Sequence, residues 1–188
     1  TIFGRRLKGH DGAISCLAIA SRRRFIVSGS WDRTLRVWGL ERGERIASVT
    51  AHKGAVRAVT IGPLEERIIS ASDDSTIGMW SLPDCHPITI LTGHSGKVHH
   101  LGIFPPSQLI SGSHDGTLKV WNLEEGTLQT TLAGHRNKIT ALAVVAKERI
   151  IISGSADGTV RIWKMEGTTK ALLKGHTGAI TSLFVDPM

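Results

Sequence analysis

The stretch Ser111-Gly112-Ser113-His114-Asp115-Gly116-Thr117-Leu118-Lys119-Val120-Trp121 decides the fold, because its frame returns three more times along the chain. The returns are Ser28-Gly29-Ser30-Trp31-Asp32 ahead of Trp38, Ser70-Ala71-Ser72-Asp73-Asp74 ahead of Trp80, and Ser153-Gly154-Ser155-Ala156-Asp157 ahead of Trp163. In every copy the Asp stands six residues before the Trp. Upstream, a small residue followed by His keeps the same beat at Gly9-His10, Ala51-His52, Gly93-His94, Gly134-His135 and Gly175-His176, in steps of 42, 42, 41 and 41 residues. A fixed period of this length marks a repeat architecture, in which each copy is one supersecondary unit.

Within a period the local signals are those of β structure. Short apolar runs such as Ala13 to Ile19, Phe25 to Ser30 and Thr34 to Leu40 are bounded by turn residues, which leaves little room for helices. Asp115-Gly116 and Asp157-Gly158 are tight-hairpin dipeptides that accept positive φ, and Glu125-Gly126 and Glu166-Gly167 mark the next reversal. Four short antiparallel strands per 41 or 42 residues is the arithmetic of a β-propeller blade. The expected class is all-β, a β-propeller built of four-stranded antiparallel blades.

Composition agrees with a folded chain. Hydrophobic residues make up 40% and charged residues 21%, and no apolar run approaches the ~18 residues of a membrane span. The net charge of +7 invites a nucleic-acid reading, because basic surface attracts phosphate. Its densest cluster is only Arg22, Arg23 and Arg24, with Arg5, Arg6 and Lys8 nearby, so a solvated basic surface is the simpler reading. The two cysteines, Cys16 in an apolar run and Cys85 in a turn, imply no pairing and favour a reducing compartment.

His, Ser and Asp in every copy suggest a hydrolytic triad. The multiplicity argues against it: an enzyme needs one such set in a cleft, whereas four sets at one place in a period read as structure. Nor do the periodic histidines converge on a metal, since they fall in different copies; His99-His100 and His114 could meet, but no Cys or carboxylate set completes a coordination shell. No metal and no cofactor is expected.

The order Gly-His, then Ser-x-Ser-x-Asp, then a turn residue, Thr, an apolar residue and Trp resembles the WD-repeat family. The Asp that usually follows the Trp is replaced by Gly39, Ser81, Asn122 and Lys164, and Ala51 stands where the family prefers Gly. The resemblance implies four hydrogen-bonded sets, His10-Asp32-Ser28-Trp38, His52-Asp74-Ser70-Trp80, His94-Asp115-Ser111-Trp121 and His135-Asp157-Ser153-Trp163. It also divides the chain into repeats at 9–50, 51–92, 93–133 and 134–174, with 1–8 as the outer strand of a preceding blade and 175–188 as the start of a fifth repeat. Ala179 to Val185 would be an innermost strand. Rings in the family usually have seven blades, so the chain reads as part of a longer protein or as a half-ring that pairs with a second copy.

Function in this architecture comes from surfaces. The resemblance points to three top-face positions per blade, three and five residues after the His and one before the Asp. They are Ala13, Ser15 and Trp31; Ala55, Arg57 and Asp73; Lys97, His99 and His114; and Lys138, Thr140 and Ala156. Trp31 is the one tryptophan outside the periodic set, and Trp and Arg dominate interface energies. The expected function is a non-enzymatic, intracellular scaffold or adaptor, cytoplasmic before nuclear, that presents its top face to a peptide or protein and has no membrane partner. A nucleic-acid-associated propeller is the alternative.

Overall fold

The computed structural model describes residues 7–185. Their regular structure is entirely β: sixteen strands in four separate antiparallel sheets, each ordered as in the chain. The first sheet comprises β1 (Ile14–Ala20), β2 (Phe25–Ser30), β3 (Thr34–Gly39) and β4 (Arg45–Thr50); the second comprises β5 (Val56–Ile61), β6 (Arg67–Ser72), β7 (Ile77–Ser81) and β8 (Pro87–Leu91). The third holds β9 (Val98–Phe104), β10 (Gln108–Ser113), β11 (Leu118–Asn122) and β12 (Thr127–Leu132), and the fourth β13 (Ile139–Val145), β14 (Ile150–Ser155), β15 (Val160–Lys164) and β16 (Thr169–Leu173). These are blades of the propeller type.

The chain divides into two compact units, Thr1–Thr92 and Gly93–Met188, with two sheets in each. In the first unit β5 packs on β1 and β2, and Val27, Leu35, Val37, Val56 and Ile68 are fully buried between the sheets. In the second unit β13 packs on β9 and β10 around Ile110, Leu118, Ile139 and Ile151. Middle strands such as β3, β6 and β10 are buried along nearly their whole length, whereas β4 and β16 are largely exposed.

A close approach joins neighbouring blades. The Gly of Ser28-Gly29-Ser30 and of Ser111-Gly112-Ser113 faces the first strand of the following sheet, and a Cβ at Gly29 would lie 2.6 Å from Val56 Cγ1. At Gly112 the corresponding neighbour is Ile139 Cγ2, at 2.9 Å. Hairpins between the second and third strands turn through a left-handed residue, Gly116 at φ 81° and Gly158 at φ 78°, as their Asp-Gly dipeptides require. Arg33 and Ser75 hold the same place at φ 71° without being glycine.

Two expectations meet a different outcome or lie out of reach. Residues 1–6 of the expected outer strand fall outside the described residues, and Leu7 and Lys8 are in no strand. Residues 179–185 form no strand either, although Ile180 is buried and its amide donates to Ser155 O. An apolar alternation becomes a strand only with a ladder beside it, and no second strand pairs with this segment among the described residues. The two thiols are free, and the turn residue Cys85 is the more buried of them.

Candidate functional site

Each blade is tied together by one hydrogen-bond chain. The indole N–H of Trp38 donates to Ser28 Oγ at 2.9 Å, Ser28 Oγ lies 2.7 Å from His10 Nε2, and His10 Nδ1 lies 2.8 Å from Asp32 Oδ2. An indole can only donate and an ionised carboxylate can only accept. For a neutral imidazole this sets one direction: Trp N–H to Ser, Ser O–H to Nε2, and Nδ1–H to Asp.

The same chain recurs at Trp80, Ser70, His52 and Asp74 (2.9, 2.8 and 3.1 Å) and at Trp121, Ser111, His94 and Asp115 (2.9, 2.7 and 2.7 Å). Trp163, Ser153, His135 and Asp157 complete it in the fourth blade at 2.8, 2.8 and 3.0 Å. The serine hydroxyls cannot serve as nucleophiles here. Ser28 is 1% exposed and the other three are fully buried, and each Oγ already takes an indole proton.

Two further periodic residues complete the anchor. Thr34 donates both its amide and its hydroxyl to Asp32 Oδ1, and Ser30 Oγ accepts the Asp32 amide; Thr76, Thr117 and Thr159 and Ser72, Ser113 and Ser155 repeat this. Both were visible in the sequence, as Thr two residues after each Asp and Ser two before it. Burial works to raise the Asp32 pKa, but the bonds from Thr34, His10 and the Asp11 amide outweigh it and hold the carboxyl well below its usual range. Asp74, Asp115 and Asp157 are held low in the same way. Burial lowers the pKa of His52 and His135 against the pull of their Asp partners, which keeps these imidazoles neutral.

The anchors present the residues beside them. In every blade the amide of the residue before the Asp donates to the carbonyl three residues after the His: Trp31 to Ala13, Asp73 to Ala55, His114 to Lys97 and Ala156 to Lys138, at 2.8–3.0 Å. In the first unit this brings three candidates together. Arg57 donates through Nε and Nη2 to the two carboxylate oxygens of Asp73 at 3.0 and 2.7 Å, and its guanidinium lies over the Trp31 ring, 4.8 Å from the centroid. Hydrogen bonding to Asp73 raises the Arg57 pKa further, against the effect of burial. Trp31 is 56% exposed, whereas the four periodic tryptophans are at most 4% exposed.

Ser15 is placed differently: its hydroxyl donates to Gly29 O at 3.1 Å and also to Val56 O, joining the first blade to the second. Thr140 does the same to Gly154 O and Ile180 O. In the second unit the His99 and His114 rings lie 4.1 Å apart, and Lys97 and Lys138 are exposed. The neighbouring His100 hydrogen-bonds the Ile139 backbone in the next blade.

The family model described as WD domain, G-beta repeat matches residues 3–39, 43–81, 85–122 and 126–164. The chain belongs to the WD-repeat family. Individual WD-repeat relatives match over about one repeat each. The periodic tryptophan protein 2 homolog of Neurospora crassa is 54% identical over 35 residues, 19% of this chain and 4% of that protein. The small ribosomal subunit protein RACK1 of Trypanosoma brucei brucei is 45% identical over 40 residues (21% and 13%), and that of Caenorhabditis elegans 49% over 39 residues (21% and 12%). The matched part is thus a small fraction of each of these relatives.

One departure from the WD pattern has a local cause. The residue two before each periodic Trp lies beneath the Gly-His turn: a Cβ at Gly9 would meet Arg36 Nη1 at 2.1 Å, and one at Gly134 would meet Arg161 Nη1 at 2.9 Å. In the second repeat that residue is Gly78, with no side chain to meet the extra methyl of Ala51. The Arg22–Arg24 run is also less available than its charge suggests. Glu65 accepts the amides of Arg22 and Arg23, while Arg23 pairs with Glu66 at 3.4 Å and Arg24 with Glu41 at 3.4 Å.

Proposed function

We propose that this WD-repeat chain is a scaffold that binds a protein or peptide through its top-face residues, with Trp31, Arg57 and Asp73 at the centre of the contact. The exposed Trp31 carries this reading. A large ring left in water beside an Arg that a carboxylate holds in place is a rigid, partly desolvated anchor of the kind that dominates interfaces. On the second unit the corresponding top-face positions are Lys97, His99, His114 and Lys138, while Ser15 and Thr140 contribute shape rather than hydroxyls.

The WD relatives support this reading at the level of class. One is named as a small ribosomal subunit protein, which makes a large assembly inside the cell a reasonable setting for this chain, in the cytoplasm before the nucleus. Nucleic acid takes second place because acidic neighbours accompany the densest basic run. Affinity capture from cell extract with Trp31→Ala and Arg57→Ala as controls tests the proposal. Partners retained by the parent chain and lost by both variants, at unchanged melting temperature, support it. Capture insensitive to both variants but collapsing steeply between 50 and 200 mM salt, as counterion release demands of nucleic acid, overturns it.

A further inference from the structure

Three cations gather at one cleft of the fourth blade. The cleft is lined by Arg136, Arg161 and Lys174 together with Gly134, Thr159, Leu172 and Asp157. Arg136 follows the anchor His135, Arg161 lies on β15 beneath Gly134, and Lys174 directly follows β16. Backbone and ring contacts position the two arginines. The Arg136 amide donates to Asp157 Oδ2 at 2.8 Å, the Arg161 guanidinium lies over Trp163 at 5.5 Å, and Arg161 Nε is buried without a hydrogen-bond partner among the described residues.

The acid in the lining is already in use. Asp157 accepts from His135, from the Arg136 amide, and from both the amide and the hydroxyl of Thr159, and these bonds hold it ionised. With Asp157 ionised, the lining of three cations and one carboxylate is positive by two. No other blade has this combination. The positions of Arg136, Arg161 and Lys174 carry Asp11, Arg36 and Thr50 in the first blade, Lys53, Gly78 and Thr92 in the second, and Ser95, Lys119 and Ala133 in the third. Lys119 there donates to Thr131 Oγ1 at 2.9 Å. An Arg with a buried Nε that has no partner among the described residues is therefore common to blades one and four, but only in blade four do two more cations stand beside it.

We infer that this cleft is an oxyanion site that takes a phosphate monoester. Two guanidinium groups and an ammonium give charge-assisted, partly bidentate hydrogen bonds, for which a doubly charged tetrahedral group is the best match among common biological anions. The cleft holds about 160 Å³, below the ~300–1,000 Å³ of small-molecule pockets, so it accommodates a phosphoryl group while the rest of the ligand stays outside. Two sources share this chemistry: a small phosphate ester in solution, or a phosphorylated side chain on a bound protein.

Phosphorus NMR and calorimetric titration of the full chain test the inference, using inorganic phosphate, glycerol phosphate and a phosphoserine peptide at constant ionic strength. The variant is Arg136→Ser with Lys174→Ala, which installs the residues of the third blade and leaves Arg161 and the anchor intact. Saturable binding of any of the three ligands, weakened at least tenfold in the variant, is the expected result. Preference for the peptide assigns the site to a phosphorylated partner, and equal affinities assign it to free phosphate esters. Either absence of saturable binding at millimolar ligand, or binding that the variant leaves unchanged, overturns the inference, and neither touches the Trp31 reading, which concerns the other unit.

Discussion

Replacing Ser70 by Ala tests whether the blade anchor contributes as much as its geometry implies. Ser70 is fully buried, and its one oxygen serves two neighbours, taking the Trp80 indole proton at 2.9 Å and donating to His52 Nε2 at 2.8 Å. Deleting it strands one buried donor and one buried acceptor. Each unsatisfied group costs about 1–3 kcal/mol, so the loss should fall at about 2–6 kcal/mol. Trp80→Phe on top of Ser70→Ala removes the stranded donor. The double variant should therefore be less destabilised than the two singles combined by about 1–2 kcal/mol. Urea unfolding followed by far-ultraviolet circular dichroism reads both, as a midpoint shift at constant slope, with Ser48→Ala on the exposed strand β4 as a control expected within about 0.5 kcal/mol of the parent chain. A Ser70→Ala chain as stable as the control, or strictly additive singles, would refute the reasoning.

Acid should loosen the second unit before it protonates the anchor carboxylates. Burial first, then His99 and His114, push the His100 pKa down to about 4 from 6.5, so the unfolded chain binds the extra proton between those values. Stability from this group is complete above pH 6.5 and falls by up to about 3 kcal/mol as the pH drops towards 4; His100→Gln should flatten that limb of a stability–pH curve. The anchor carboxylates, depressed in the fold, contribute above their unfolded value of 3.8 and lose that contribution only below it. Gly29→Ala puts a methyl 2.6 Å from Cys16 Sγ and Val56 Cγ1 and should cost about 1–3 kcal/mol in a thermal or urea melt. Ser75→Gly should leave stability unchanged or raise it by up to about 1 kcal/mol in the same melt, because Ser75 sits at φ 71° where Gly116 and Gly158 stand in later blades. Acrylamide should quench the fluorescence of one tryptophan in five, and Trp31→Phe should abolish that accessible fraction.

What could be read from the sequence is what the repeat demands four times over. Closing a four-stranded blade leaves a loop carboxylate, an imidazole, a hydroxyl and an indole to be satisfied together, and few residue types do that, so His, Asp, Ser and Trp recur at fixed spacing. Thr34 and Ser30 belong to the same set and carried the same periodic signal. What occurs only once carried none. His100 makes its contact in one blade, and nothing in the sequence separates it from His99 beside it. Ser15 and Thr140 were equally opaque, since a hydroxyl in a strand can turn to solvent or to a neighbouring carbonyl, and only the adjacent blade decides. Residues 179–185 read as a strand because alternation is a local property, whereas a ladder needs a partner.

The fifth residue after each anchor His shows how structure and recognition compete for one place. In the first and fourth blades that residue is Ser15 or Thr140, and its hydroxyl bridges to Val56 O or Ile180 O at the start of the next repeat. In the third blade it is His99, whose ring instead lies against His114, and the contact with the next blade passes to His100, bonded to the Ile139 backbone. Val56, Ile139 and Ile180 hold equivalent places, so the link between blades is kept while its donor moves by one residue. In the second blade the same position is Arg57, committed to Asp73 and stacked on Trp31. A short hydroxyl there makes the joint and reaches no further; a longer cation or ring extends past it, and in the third blade the joint passes to His100. Blades with Ser or Thr at this place therefore spend it on the joint, whereas Arg57 and His99 turn to Asp73 and His114, the residues just before the anchor Asp.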